Sequence, residues 1–395
     1  MCQNPTTGVE ETDITPAEPA VDALTDVVNV GGLRELFRAL EVEALVCRGG
    51  MNVMYLSGIA MPGTLGRHLD LAETARETFV VWPAGGDPVG VVSDIASEVA
   101  RTTSRIRNLR TYRDYVENPE VALAETIREL SLDRSRVGFD QGWFGARRWS
   151  ALRRLLPGVD CVDATDELDA VRAIKTPTEV ELLRRAAAIL DRALTDVFRD
   201  VLPGQSERHV HAAVSARALE LGAGTVHGIL QSSSNQVLYG GESDVRLAAG
   251  DMVRTDYVAY VDGYAANLSR LLHVGRPSED IKRVYATYLG MYREAVGLLR
   301  PGARGGDVHR SIRAMFERRG WQPGPAISGH GVGVWFHQQY PMLVEGSADV
   351  LESGMVLAIE PISGHWHLQD EYLITDRGPL RISDTFDLDH LPWAA

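Results

Sequence analysis

Apolar residues recur at helical spacing early in the chain. Leu33, Leu36, Phe37 and Leu40 share one face of "GGLRELFRALEVEALVC", which then runs into the continuous apolar stretch of a buried strand. "TFVVWP", "GVVSD" and "RVGFD" read as further strands, and "PEVALAETIRELS" and "GARRWSALRRLLPG" as helices between them. Alternation of this kind predicts an α/β domain over residues 27–168. A second pattern opens at "AIKTPTEVELLRRAAAILDRALTDVF", where Thr176 suits the N-cap, Pro177 the first helical position and Glu179 the capping box. Val180, Leu183, Ala187, Leu190, Leu194 and Val197 form its apolar stripe. A second helix, "RHVHAAVSARALELG", leads to a strand-rich stretch over 226–275. Helices near 278–299 and 306–319 then precede a β-rich section over 327–385. Blocks of helices and strands in this order predict an α+β domain over 169–395, and the repeated order hints at two similar halves.

Composition narrows the class. A 395-residue chain with 45% hydrophobic and 24% charged residues is an ordinary globular protein of two domains. No apolar run approaches the roughly 18 residues of a membrane span. Residues 1–26 are acidic, lack a basic or apolar leader pattern, and are expected to be a disordered tail. A net charge of −14 without a basic, aromatic-rich run excludes nucleic acid as a partner. Three widely spaced cysteines, Cys2, Cys47 and Cys161, fit reduced thiols and a cytoplasmic location.

Polar residues on otherwise apolar strands mark the candidate chemistry. "GDMVRTDYVAYVDGY" carries Asp256, "NLSRLL" carries Asn267, and "GHGVGVWFHQQYP" carries His330 and His337. "GMVLAIEP" ends on Glu360, and "HWHLQDEYLITDRG" carries Gln369 and Glu371. In this order, and together with "IKTPTEVELLRRA" and "MNVMYLSG", these segments resemble the pita-bread family of aminopeptidase P, prolidase and creatinase, peptidase family M24. The resemblance implies an α/β creatinase-like N-terminal domain followed by an α+β pita-bread domain with pseudo-two-fold halves.

Metallopeptidases of that family hold two divalent ions with Asp, Asp, His, Glu and Glu. Carried over, the first Asp is Asp256, the His is His330 and the first Glu is Glu360. The second Asp, which bridges the ions, falls on Asn267. The last Glu, also bridging, falls on Gln369 without a gap, because "QDEYLIT" matches the family's "EDEYLIT"; a slide of two residues would use Glu371 instead. A neutral amide cannot bridge two cations. A dinuclear centre is therefore not expected. The family's metal-free creatinase branch is closest in character, which implies a metal-independent hydrolase or lyase with histidine acid/base chemistry by His330 or His337 on a C–N bond of a small cationic or zwitterionic substrate.

On this reading Asp256, Glu360, Asn267 and Gln369 line the substrate pocket and no cofactor is needed. Tyr239, where prolidases have a histidine, orients substrate. Arg67 matches an arginine that creatinase-like proteins supply from the partner subunit, which implies a homodimer with the neighbour's N-terminal domain near the active site. Asp256 also follows "VRT", where the family usually has an apolar residue. His365 and His367 read as a solvent-exposed turn. One alternative is a mononuclear Xaa-Pro peptidase-like hydrolase holding manganese, zinc or iron on His330, Glu360 and Glu371. Another is a non-catalytic pita-bread module, which the retained histidines argue against.

Overall fold

The computed structural model describes residues 24–59, 76–237, 240–241, 243–324, 327–334 and 339–394. The first domain is built on a mixed sheet of β1 (Ala44–Arg48), β2 (Phe79–Pro83), β3 (Val89–Ser93), β4 (Asn108–Tyr112), β5 (Arg136–Phe139) and β6 (Asp160–Asp163), in the order β4-β3-β2-β1-β5-β6. β1 at its centre is buried at every position, as its unbroken apolar run requires. The predicted helices lie at Val30–Leu40, Pro119–Glu129 and Ala146–Leu155. Cys47 is buried and Cys161 half-buried, both as free thiols.

The second domain repeats one plan. Helices Pro177–Phe198 and Glu207–Glu220 precede β7 (Thr225–Ser232), β8 (Met252–Val261), β9 (Tyr264–Leu268) and β10 (Leu271–Val274). Helices Glu279–Val296 and Gly305–Arg318 precede β11 (Ile327–Gly331), β12 (Gln339–Val344) and β13 (Val356–Ile359). The short hairpin β14 (Ile362–Ser363) and β15 (Trp366–His367) follows, then β16 (Asp370–Thr375), β17 (Gly378–Arg381) and β18 (Trp393–Ala394). One sheet runs β18-β10-β8-β7 with β9 on β8, the other β12-β11-β13-β16-β17. The capping box forms as its residues predict: Thr176 Oγ1 accepts from Glu179 N, and the Glu179 carboxylate accepts from Thr176 N. No helix among the described residues is long and apolar enough to cross a membrane.

What positions the site is the seam between the two sheets. Ser269 and Gln369 form an isolated bridge with reciprocal backbone bonds of 3.2 Å. Arg270, fully buried beside it, fixes the seam from below: it donates to Asp191 on the long helix, to the Gln369 carbonyl at 2.7 Å and to Asp370.

Candidate active site

Asp256, Asn267, His330, Glu360 and Gln369 converge at this seam. β8 and β9 pair so that Asn267 lies beside Asp256, and β11 and β13 pair so that His330 lies one step from Glu360. Gly329 makes the second pairing possible: a Cβ there would stand 2.6 Å from the Ala358 carbonyl oxygen. The glycine before the histidine thus lets β11 lie against β13.

The two amides bond to each other and to the first aspartate. Asn267 Nδ2 faces two acceptors, Asp256 Oδ1 at 2.9 Å and the Tyr257 carbonyl at 3.3 Å, which fixes the orientation of its amide. Its Oδ1 accepts from Gln369 Nε2 at 2.8 Å. Hydrogen bonds therefore join the positions that a pair of ions would join, as neutral amides require. Glu371 faces elsewhere. Its Oε1 accepts from the Asn267 backbone N–H at 2.8 Å, and burial pushes its carboxyl up to about 8.

The histidines correct one expectation. His367 is fully buried, not part of a solvent-exposed turn, and its ring faces Glu360. Ser269 Oγ donates to the Thr255 carbonyl, so its contact of 3.0 Å with His367 Nδ1 makes the ring nitrogen the donor. In the neutral ring His367 Nε2 is then the lone-pair atom, and it lies 3.6 Å from Glu360 Oε2. His330 behaves in the same way: Nδ1 donates to the Gly331 carbonyl at 3.0 Å, and Nε2 lies 3.6 Å from Glu360 Oε1. Two imidazole Nε2 atoms thus face one carboxylate. Glu360 Oε1, His367 Nε2 and Gln369 Oε1 are buried and make no hydrogen bond among the described residues. Each such acceptor costs about 1–3 kcal/mol unless something satisfies it.

These residues fit a single cation. Ligand atoms of Asp256, Glu360 and His367 all lie within 4.8 Å of one another. Glu360 and His367 at 3.6 Å are near the roughly 3.4 Å expected of two atoms about 2.1 Å from one tetrahedral ion. The ligand set expected for one ion contained Glu371; the geometry puts His367 and Asp256 there instead. His367 was missed because its neighbours Gly364 and Trp366 look like a turn, and only its long-range contact with Ser269 reveals its burial. His337, Tyr239 and Arg67 lie outside the described residues, and with Arg67 the subunit contact inferred from it.

Comparison with known proteins agrees with the architecture. Residues 181–388 match the family model described as Metallopeptidase family M24, and residues 30–174 that of the Creatinase/Prolidase N-terminal domain. The chain is 25% identical to the uncharacterized peptidase YqhT of Bacillus subtilis over 88% of its own length and 95% of that protein. It is 30% identical to the Xaa-Pro dipeptidase of Pyrococcus furiosus over 56% of its length and 66% of that protein. The solved Xaa-Pro dipeptidase from Bacillus anthracis superposes with a TM-score of 0.74 at 21% identity, over 92% of this chain and 99% of that one. These relatives are peptidases and Xaa-Pro dipeptidases, so the expected closeness to creatinase is not what they carry.

Proposed function

Because the chain belongs to metallopeptidase family M24 and carries a creatinase/prolidase N-terminal domain, we propose that it is a hydrolase that cleaves the amide C–N bond of a small, dipeptide-like substrate with one bound metal ion. The observation that carries this reading is the pair of imidazole Nε2 atoms aimed at Glu360, each at 3.6 Å. Such a contact needs a positive charge, a proton on the ring or a metal ion, and the ligand atom of Asp256 within 4.8 Å of both Glu360 and His367 favours the ion. The two amides alone favour the metal-free reading; the buried His367 reverses that preference. One imidazole with two carboxylates suits zinc or iron better than magnesium or calcium.

Asp256, Glu360 and His367 would hold the ion, and His330 Nε2 lies beside them at 3.6 Å from the other Glu360 oxygen. A divalent ion so held would polarise a substrate carbonyl and lower the pKa of bound water toward about 7. Asn267 keeps Asp256 oriented by its 2.9 Å bond, and Ser269 keeps His367 in the tautomer that presents Nε2. Glu360 Oε1 would accept a proton from the attacking water and return it to the leaving nitrogen.

Elemental mass spectrometry tests this directly. After incubation with zinc, manganese or iron we expect one ion per chain, with hydrolysis of Xaa-Pro dipeptides lost on chelation and restored by the ion. Full turnover at substoichiometric metal would return the metal-free reading to first place.

A further inference from the structure

Arg254 stands two residues before Asp256 on β8, so the two side chains share a face about 6.8 Å apart along the strand. It is 2% exposed, an unusual place for a guanidinium. Its Nη2 donates to Gln231 Oε1 at 2.7 Å, and Gln231 lies directly across on β7. Gln231 Nε2 donates in turn to the Val237 carbonyl at 2.6 Å, which ties the arginine to the loop leaving β7.

His365, in the turn before β15, is half-buried, and its Nδ1 makes no hydrogen bond among the described residues. The carboxylates of Asp251 and Glu207 have local partners. Asp251 accepts from Ser233, Ser234 and Ala248 N, and Glu207 from Ser232, Asn235 and Ser243. Asp256 and His367 belong to one group of ligand atoms, and Arg254 stands one strand step from Asp256 on β8.

We propose that Arg254, supported by Gln231, is the specificity residue of this site and binds a carboxylate on the substrate. Guanidinium and carboxylate match as a bidentate pair, and lysine cannot reproduce that fork. A dipeptide or an N-acyl amino acid carries such a carboxylate one carbon removed from the leaving nitrogen. The assignment rests on the hydrolase reading for its chemistry, but binding alone can test it.

The experiment titrates the chelator-treated full chain with alanyl-proline and with its C-terminal amide, and measures kcat/KM for both in the metal-loaded protein. The acid should bind about 10- to 100-fold more tightly than the amide, the range of a charge-assisted hydrogen-bond pair. Arg254→Met should reduce that preference to about threefold or less, and Arg254→Lys should keep part of it. Equal binding of acid and amide by the native chain, failure to bind either, or an unchanged preference in a folded Arg254→Met overturns the assignment. Should Arg254→Met not fold, the native comparison and Arg254→Lys decide. A carboxylate preference without any hydrolysis sinks the hydrolase reading and leaves Arg254 in place.

Discussion

His367 is held through Nδ1 by Ser269, and that contact decides which ring atom faces Glu360. Ser269→Ala removes the contact while leaving every proposed ligand present. Losing such a partner typically lowers metal affinity about 10- to 100-fold. We therefore expect that loss in Ser269→Ala and a larger one in His367→Ala, read by competition with a chromophoric chelator; unchanged affinity in both would sink the single-ion reading. Glu371 supplies a different test at the same scale. Its folded-state value of about 8 lies above the ordinary 4.5, so between those values the folded chain holds a proton that the unfolded chain has released. Glu371 thus favours folding below about pH 4.5 and loses that contribution as the pH rises through 8. The melting temperature of chelated native protein should fall more between pH 5 and pH 8 than that of Glu371→Gln; parallel pH profiles would contradict the assignment. In the sequence, Asp256, Asn267, His330, Glu360 and Gln369 were legible because each interrupts an apolar strand at a family position. His367 was not, since its role depends on Ser269, 98 residues away in the chain.

The long helix Pro177–Phe198 shows what periodicity reveals and what it hides. Its apolar stripe and capping box could be read directly, and Leu183, Ala187, Leu190 and Leu194 are buried as the spacing requires. Asp191 on the same helix is buried as well, which no binary pattern predicts. The reason is Arg270, whose Nη2 lies 2.7 Å from Asp191 and 2.9 Å from Asp370, all with side chains at most 1% exposed. Burial outweighs the pull of Arg270 and raises Asp191 to about 6. The clamp joins the helix to the start of β16, and hence to Gln369. Arg270→Met would leave two carboxylates buried around the vacated position, at a cost of about 3–5 kcal/mol. Urea unfolding should show that loss as a lower midpoint; a loss under about 1 kcal/mol would mean that the clamp relaxes without holding the seam.

Beyond single elements, the two domains share an apolar interior. Val53 and Leu56 of the first domain belong to one buried cluster with Tyr264, Val332 and Val356 of the second. Met54 sits so close over Gly263 that a Cβ there would stand 1.9 Å from its methyl carbon, and this glycine has φ +83° in the turn between β8 and β9. The first domain thus presses on the turn that places Asn267 beside Asp256. Chains of this size commonly unfold domain by domain. Here separation would expose the shared cluster on both sides, so neither domain gains by melting first. We expect calorimetry of the metal-free chain to show a single transition with matching calorimetric and van't Hoff enthalpies. Met54→Lys, which places a charge at the boundary, should lower that one transition as a whole. Two resolved peaks in the native chain, or a Met54→Lys effect confined to one of them, would mean that the domains stand independently and that the first does not brace the site.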